Sequence, residues 1–296
     1  MSGCAFSAAS SRLSCEMLSL VPDTRDVTLD AAAGSCLSAG LPIVHVDGLA
    51  LHAVREQECV AHVVRELSAG RGGFIATANV DHMVRLRRSP EFQRVYAQAT
   101  LVVADGVPLL WASRLQGAPL PERVAGSDLI HSLSRAAAAA GRRVLLLGGN
   151  PGTAEQAAQV LKCGSPDLIV ADALCPPFGF EQDPAYVAEL RQAIRDSRAE
   201  LVFVGLGSPK QELFIAQHRD VLPNAWWIGV GISFSFVSGE VTRAPRWVQR
   251  IGCEWLHRLV QEPRRLWTRY LVRGLPFAAG LLARAAWRRL RGGARA

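Results

Sequence analysis

Short apolar runs alternate with helical patterns along most of the chain. Ile43–Val46, Gly73–Thr77, Thr100–Ala104, Arg143–Leu147, Asp167–Ala171, Leu201–Leu206 and Ala225–Val230 are apolar and partly β-branched, the mark of strands covered on both faces. Between them, Leu51–Ala69, Val80–Ala97, Leu109–Leu115, Ser127–Ala140, Thr153–Cys163, Pro184–Ser197 and Gln211–Arg219 read as helices. Such alternation predicts an α/β domain with a mostly parallel, Rossmann-like sheet and helices on both faces, here over residues 39–242. In sheets of that kind, ligands sit beyond the C-terminal ends of the strands.

The residues just past each strand therefore matter most. Leu201–Val204 leads into Gly205-Leu-Gly207-Ser-Pro209-Lys210-Gln211-Glu212, a glycine turn that opens a helix. Gly205 and Gly207 let the backbone bend sharply and approach a ligand. Pro209 suits the first helical position, and the unpaired N–H groups there, with Lys210, make an anion site that fits a phosphate-bearing ligand. The other strands end in Ala78-Asn79-Val80-Asp81, Asp105-Gly106-Val107-Pro108, Gly148-Gly149-Asn150-Pro151-Gly152 and Gly231-Ile232-Ser233. Each could be an ordinary turn; five at one sheet edge predict a cleft.

Composition narrows the class. With 296 residues, 49% hydrophobic and 20% charged, the chain can bury a sizeable core. Seven scattered cysteines without a C-x-x-C pair argue against a disulfide framework and a zinc site, and fit a reducing cytoplasm. Residues 1–38 read as a loosely ordered extension. Val221–Gly239 carries no charge over 19 residues, yet Pro223, Asn224 and its glycines interrupt it, so no membrane span is expected.

Charge is unevenly placed. Residues 243–296 hold thirteen arginines against Glu254 and Glu262, a balance of +11, so the net +7 of the chain leaves −4 on residues 1–242. Pro245, Pro263 and Pro276 predict short helices joined by bends rather than one rod. Arg258, Arg265 and Arg269 recur at helical intervals, as do Arg284, Arg288, Arg291 and Arg295, near Phe277, Leu281 and Leu282 and four tryptophans. A basic, aromatic, amphipathic appendage points to an anionic membrane surface, with a solvated helix face as the plain alternative. Its apolar surface also suits a neighbouring copy of the chain. No nucleic-acid motif is present.

Thr77-Ala-Asn79, Ala104-Asp-Gly106, Glu122-Arg-Val-Ala-Gly-Ser-Asp128, Leu147-Gly-Gly149, Gly205–Glu212, Gly229-Val-Gly231, Arg243-Ala-Pro-Arg-Trp247 and the long run Glu254–Tyr270 form a specific set. Together they resemble the WecG/TagA/CpsF family of bacterial glycosyltransferases (glycosyltransferase family 26), from about Ile43 to Phe277. The resemblance implies an inverting transferase at the inner face of the cell membrane. Such an enzyme moves a sugar from a UDP donor to a polyprenyl-diphosphate-linked saccharide in surface-polymer synthesis. Donors across the family include N-acetylmannosamine, N-acetylmannosaminuronic acid and glucose.

Carried over by position, the resemblance makes Asp105 the catalytic base with Thr77 and Asn79 beside it. Arg123 and Gln211 would bind substrate or the departing diphosphate, and Arg258, Arg265 and Arg269 would hold the lipid diphosphate. Gly148, Gly149, Gly205, Gly207, Pro209, Lys210, Glu212 and Gly231 complete the candidate substrate-binding set. Two departures stand out. Cys175-Pro-Pro-Phe-Gly-Phe180 replaces a frequent Gly-Tyr-Phe loop, and Ile232-Ser-Phe-Ser-Phe236 comes after Gly-Val-Gly where an Asp is common.

Chemistry read from the residues runs parallel. Inverting transfer needs a base, in-line alignment and neutralisation of a leaving diphosphate. An Asp at a strand end can be the base, although Asp-Gly is also a common turn pair. No Asp-x-Asp occurs anywhere, so no metal or other cofactor is expected, with backbone amides, Lys210 and arginines meeting the diphosphate instead. The seven histidines show no metal spacing, and His82, close to the Thr77–Asn79 turn, reads as a surface residue, with contact to substrate as the alternative. A nucleotide-binding oxidoreductase, suggested by Gly148-Gly149-Asn-Pro-Gly152, departs from G-x-G-x-x-G spacing. A non-catalytic membrane adaptor using only the tail is the third class.

Overall fold

A computed structural model of the chain describes residues 40–250 and 252–293. The expected extension over 1–38, Cys4, Cys15, Cys36 and Arg295 lie outside the described residues. Six strands form one sheet: β3 (Gly73–Ala78), β4 (Leu101–Ala104), β5 (Arg143–Gly148), β6 (Ile169–Leu174), β7 (Leu201–Gly205) and β8 (Trp226–Gly229). Their order is β4-β3-β8-β7-β5-β6, and every neighbouring pair is parallel. The chain builds one half with β3 and β4, then crosses to β5 and β6, and fills the centre last with β7 and β8. That crossing opens a crevice at the C-terminal ends of the central strands.

Strand alternation splits the core into two layers. Phe74, Ala76, Ala78, Val102, Leu145, Leu147, Val202, Val204 and Trp227 face one side. Ile75, Leu101, Val103, Val144, Leu146, Leu201, Phe203, Trp226 and Ile228 face the other. The first side is covered by α2 (Val80–Leu86), α3 (Pro90–Tyr96), α4 (Val107–Leu115), α7 (Pro184–Ser197) and α8 (Lys210–His218). The second lies under α1 (Glu56–Ser68), α5 (Gly126–Ala139), α6 (Thr153–Gly164) and α9 (Ser233–Ser238). Both layers are closed, which is why the strands read as continuous apolar runs.

Four elements differ from expectation. The run Ile43–Val46 (β1) stays out of the main sheet and pairs antiparallel with β2 (Leu49–His52), where the start of a helix was expected. The cause is the Asp47-Gly48 turn, with φ 54 and 86, which folds the chain straight back. The expected helix Val80–Ala97 is broken at Ser89-Pro90. There the Ser89 hydroxyl accepts from Phe92 N–H at 3.1 Å and Pro90 starts a new helix. Residues 233–238, expected as loop, form α9, anchored by the Ser233 hydroxyl donating to Val230 C=O. The edge strand β6 starts two residues later than expected, after a turn in which Leu168 N–H bonds Ser165 C=O.

The tail forms α10 (Arg246–Arg250), α11 (Glu254–Gln261), α12 (Pro263–Trp267), a π-helical stretch (Thr268–Gly274) and α13 (Leu275–Gly293). Pro245 and Pro263 do punctuate it. Pro276 does not, because the wide π turn ahead of it removes the need for the N–H that proline lacks. α13 packs along α4, with Leu281 and Ala285, one turn apart, buried in the first core layer. The apolar residues expected to face a membrane thus partly face the body. Arg284, expected on an open basic stripe, turns inward instead. It pairs with buried Asp47 at 3.0 and 3.1 Å, and Arg87 joins the same carboxylate. The Phe277 ring is near both guanidinium groups, 4.9 Å from that of Arg87 and 5.7 Å from that of Arg284.

Gly73 sits in register with Trp226, whose indole would meet an added Cβ at 2.7 Å. Trp226 is fully buried and donates to Arg71 C=O at 3.0 Å, so it has no room to yield. Gly73→Ala is expected to cost about 1–3 kcal/mol through overpacking. Urea unfolding at constant m-value measures it.

Candidate active site

A cavity of about 1200 Å³ opens at the C-terminal ends of β3, β4, β5, β7 and β8. That is large even for a site taking a drug-sized ligand, and leaves room for two substrates. Asp105 follows β4 directly, its N–H held by Ala78 C=O at 2.8 Å. Thr77 lines the cavity from the end of β3 and Asn79 from the start of α2. The Asn79 side-chain oxygen caps α2 by accepting from Asp81 and His82 N–H, so its amide nitrogen remains for a ligand.

Close backbone packing shapes the floor. Gln211 is only 4% exposed, yet its amide reaches the cavity because Gly229 has no Cβ; one built there would sit 2.5 Å from Gln211 Nε2. The Gln211 oxygen accepts from Gly231 N–H at 2.9 Å and its nitrogen donates to Glu212 at 2.7 Å. Glu212 itself is buried behind the cavity, 3.7 Å from His82 Nε2. Burial holds the His82 imidazole below its usual titration range despite Glu212 and Asp81, so the ring is neutral. Its Nδ1 meets the Tyr96 hydroxyl at 2.7 Å, the tautomer with the proton on Nε2 fitting that bond. His82, read from sequence as a surface residue, is therefore an interior one.

Four charged groups meet above Asp105. Arg123 Nη1 reaches Asp105 at 3.3 Å and Glu254 at 3.4 Å, and its Nη2 reaches Asp128 at 3.0 Å. Arg243 holds Asp128 at 2.6 Å and Glu254 at 3.3 Å. Three carboxylates thus share two guanidinium groups. Burial pushes the Asp105 carboxyl up to about 6; Arg123 pulls against this, while Glu254 and Asp128 add to it. The 26% of the Asp105 side chain that stays accessible opens onto the cavity. It is a carboxylate of raised basicity facing a space for substrate, which suits proton abstraction near neutral pH.

The structure brings Asp105, Thr77, Asn79, Arg123, Gly149, Gly205, Gly207, Lys210, Gln211, Gly231, Arg258, Arg265 and Arg269 to this one cavity. Gly148, Pro209 and Glu212 are not among its lining residues. Gly148, at φ 102, lets β5 close on β7, where a Cβ would meet Gly205 at 2.9 Å. Pro209 caps α8, one position ahead of the place expected, and faces a separate cavity of about 210 Å³ near Arg85, Arg88 and Arg273. Lys210 is less open than expected, paired with Glu181 at 2.9 Å and lying over the Phe178 ring. Arg269 pairs with Asp81 at 3.0 Å, and Arg265 with Glu262 at 2.8 Å.

Some site residues went unassigned from sequence. Asp128, Arg243 and Glu254 were visible only as parts of longer motifs. Phe178 projects fully exposed from the loop at the cavity rim. Among the described residues, no group of three or more His, Cys, Asp or Glu side chains is placed to hold a metal ion.

Residues 44–291 match the family model described as Glycosyl transferase WecG/TagA/CpsF family. The chain is also similar to the N-acetylglucosaminyldiphosphoundecaprenol N-acetyl-beta-D-mannosaminyltransferase of Bacillus spizizenii. They are 34% identical over 205 residues, 69% of this chain and 77% of that protein.

The raised titration of Asp105 carries a stability cost. The folded-state value of about 6 lies above the ordinary 3.8, so the cost is fully present above pH 6 and fades as pH falls toward 3.8. Asp105→Asn is expected to stabilise the fold at pH 7.5 by about 2 kcal/mol, after allowing for the lost Arg123 contact, and by almost nothing at pH 4. Thermal unfolding at the two pH values tests this.

Proposed function

The chain belongs to the WecG/TagA/CpsF family of glycosyl transferases, and from that premise we propose an inverting transfer from a UDP-sugar to a polyprenyl-diphosphate-linked saccharide in surface-polysaccharide synthesis. One observation carries the reading: Asp105, its basicity raised, faces a cavity large enough for both substrates and walled by tail arginines. The acceptor hydroxyl oxygen attacks the anomeric carbon while Asp105 takes its proton. The bond from that carbon to the diphosphate breaks, and UDP leaves with the electron pair. Thr77 and Asn79 orient the acceptor, and Gln211 with the Gly231 turn holds the donor.

Arg123 is divided among three carboxylates, whereas Lys210, Arg265 and Arg269 each pair with one and Arg258 lies over the Phe236 ring, so neutralising the diphosphates falls mainly to these four. A hexose, N-acetylhexosamine or its uronate fits the donor role, and the relative's name makes N-acetylmannosamine the first donor to test. Asp105→Asn is expected to lower transfer by at least about 100-fold while UDP-sugar affinity persists, and wild-type transfer to proceed in EDTA. Mass spectrometry of products and calorimetric titration of the donor read both. Full turnover by the variant, or a strict Mn²⁺ requirement, overturns the reading.

A lipid-linked acceptor brings the enzyme to a membrane. Among the described residues, no helix is long and apolar enough to cross one. The tail nevertheless exposes Trp247, Trp267, Trp287, Val260 and Leu290 beside arginines, with Trp287 51% and Leu290 75% open. Aromatic and basic side chains together suit the interface of an anionic bilayer. Replacing Trp287 and Leu290 together by Ser is expected to weaken binding to anionic vesicles at least about tenfold at unchanged helix content. Flotation and circular dichroism test it; wild-type flotation removes the role, and loss of a dimer in sedimentation assigns the patch to a second copy.

A further inference from the structure

Glu254 opens α11 at the point where the tail meets the body. Its Oε2 accepts from Arg123 Nη1 at 3.4 Å, the same nitrogen that reaches Asp105 Oδ1 at 3.3 Å. Its Oε1 accepts from Arg243 Nε at 3.3 Å. Asp128 completes a ring by accepting from Arg123 at 3.0 Å and from Arg243 at 2.6 Å. Two members, Arg123 and Asp128, belong to the body; the other two, Arg243 and Glu254, belong to the tail. Asp105 hangs from this ring by one long contact.

The alternative arrangement is easy to picture. An arginine with a single carboxylate partner forms a paired, charge-assisted bond at about 2.8 Å, which favours the ionised form and weakens it as a base. Arg123 cannot do this to Asp105, because Nη2 is turned to Asp128 and Nη1 is divided. We propose that Glu254 is a positioning residue for sugar transfer: by holding Arg123 in the ring it leaves the Asp105 carboxylate uncommitted and directed at the acceptor hydroxyl. This rests on the reading of Asp105 as the base.

Glu254 and Arg243 reach the ring because the tail is seated on the body, with Leu281 and Ala285 entering its core.

Charged and titratable groups act on Asp105 from each neighbouring element: Arg123 ahead of α5, Asp128 on α5, and Arg243 and Glu254 from the tail. Tyr96 on α3, its hydroxyl pushed up by burial, also feels Asp105. Glu254 and Asp128 raise the Asp105 titration, and Arg123 and Arg243 lower it. Removing the Glu254 charge therefore shifts it downward.

The test is the pH dependence of kcat and kcat/KM, on the full chain, with UDP-N-acetylmannosamine and a short-chain polyprenyl-diphosphate acceptor. Glu254→Gln keeps the side-chain length and one acceptor oxygen. It is expected to move the acid limb down by about 0.5–1 pH unit and to lower plateau kcat about tenfold. Glu254→Asp keeps the charge but shortens the reach, so its limb should fall between the two; it decides the matter where Glu254→Gln does not fold. An unmoved limb in the folded variant, with Asp105→Asn inactive, overturns the role of Glu254 and leaves the base reading standing. Asp105→Asn turning over with the wild-type limb overturns both.

Discussion

Two guanidinium groups facing three carboxylates, each only partly open to water, are the constraint around which the site is built. The surplus negative charge sits where burial already penalises it. In such a place, losing an arginine is costly because it leaves carboxylates uncompensated, whereas losing the surplus carboxylate relieves the strain. The ring is therefore held by the elements around it: β4 fixes Asp105, α5 fixes Asp128, and the tail supplies Arg243 and Glu254. The tail is a wall of the site as well as an attachment to the body.

Steric fit places the neutral half of the site as firmly as charge places the other. Gln211 reaches the cavity floor only because Gly229 has no side chain, and α9 closes over β7 only because Gly205 leaves room for the Phe234 ring, 2.7 Å from an added Cβ. Behind Gln211 lie Glu212, neutral His82 and Tyr96, a buried polar cluster that fixes the amide's direction. Polar groups at such a depth persist when they are paired, and each pairing removes a freedom that a loop would otherwise have.

Much of the sheet was legible from sequence because parallel strands closed on both faces leave an unbroken apolar signature. The polar ends of Thr77, Asn79, Asp105, Gly149 and Gln211 were legible too, since strand ends in such sheets point to one edge. The β1–β2 hairpin does not follow from the apolar runs alone; its signal is Asp47-Gly48, whose positive φ angles turn the chain back between two short apolar runs. His82 was misjudged because its partners Tyr96 and Glu212 are 14 and 130 positions away and no periodicity links them. The Glu254–Arg123 contact spans 131 positions, a distance across which sequence spacing carries no geometric information.

The tail shows how one amphipathic segment can serve two surfaces. Along α13, Leu281 and Ala285 enter the core of the body, and Arg284 anchors to Asp47. Trp287 and Leu290, further along, face outward, and Arg291 stacks on the Trp287 ring at 3.6 Å. A guanidinium over an indole keeps a large apolar group wet-tolerant in solution while leaving its edge to enter an interface. The inward seam fixes where the outward one sits, so the orientation of the cavity mouth toward a membrane would be set by the packing of Leu281 and Ala285. A tail tethered by charge alone would loosen with salt; one seated in the core keeps the cavity wall and the outward-facing side chains in a single rigid relation.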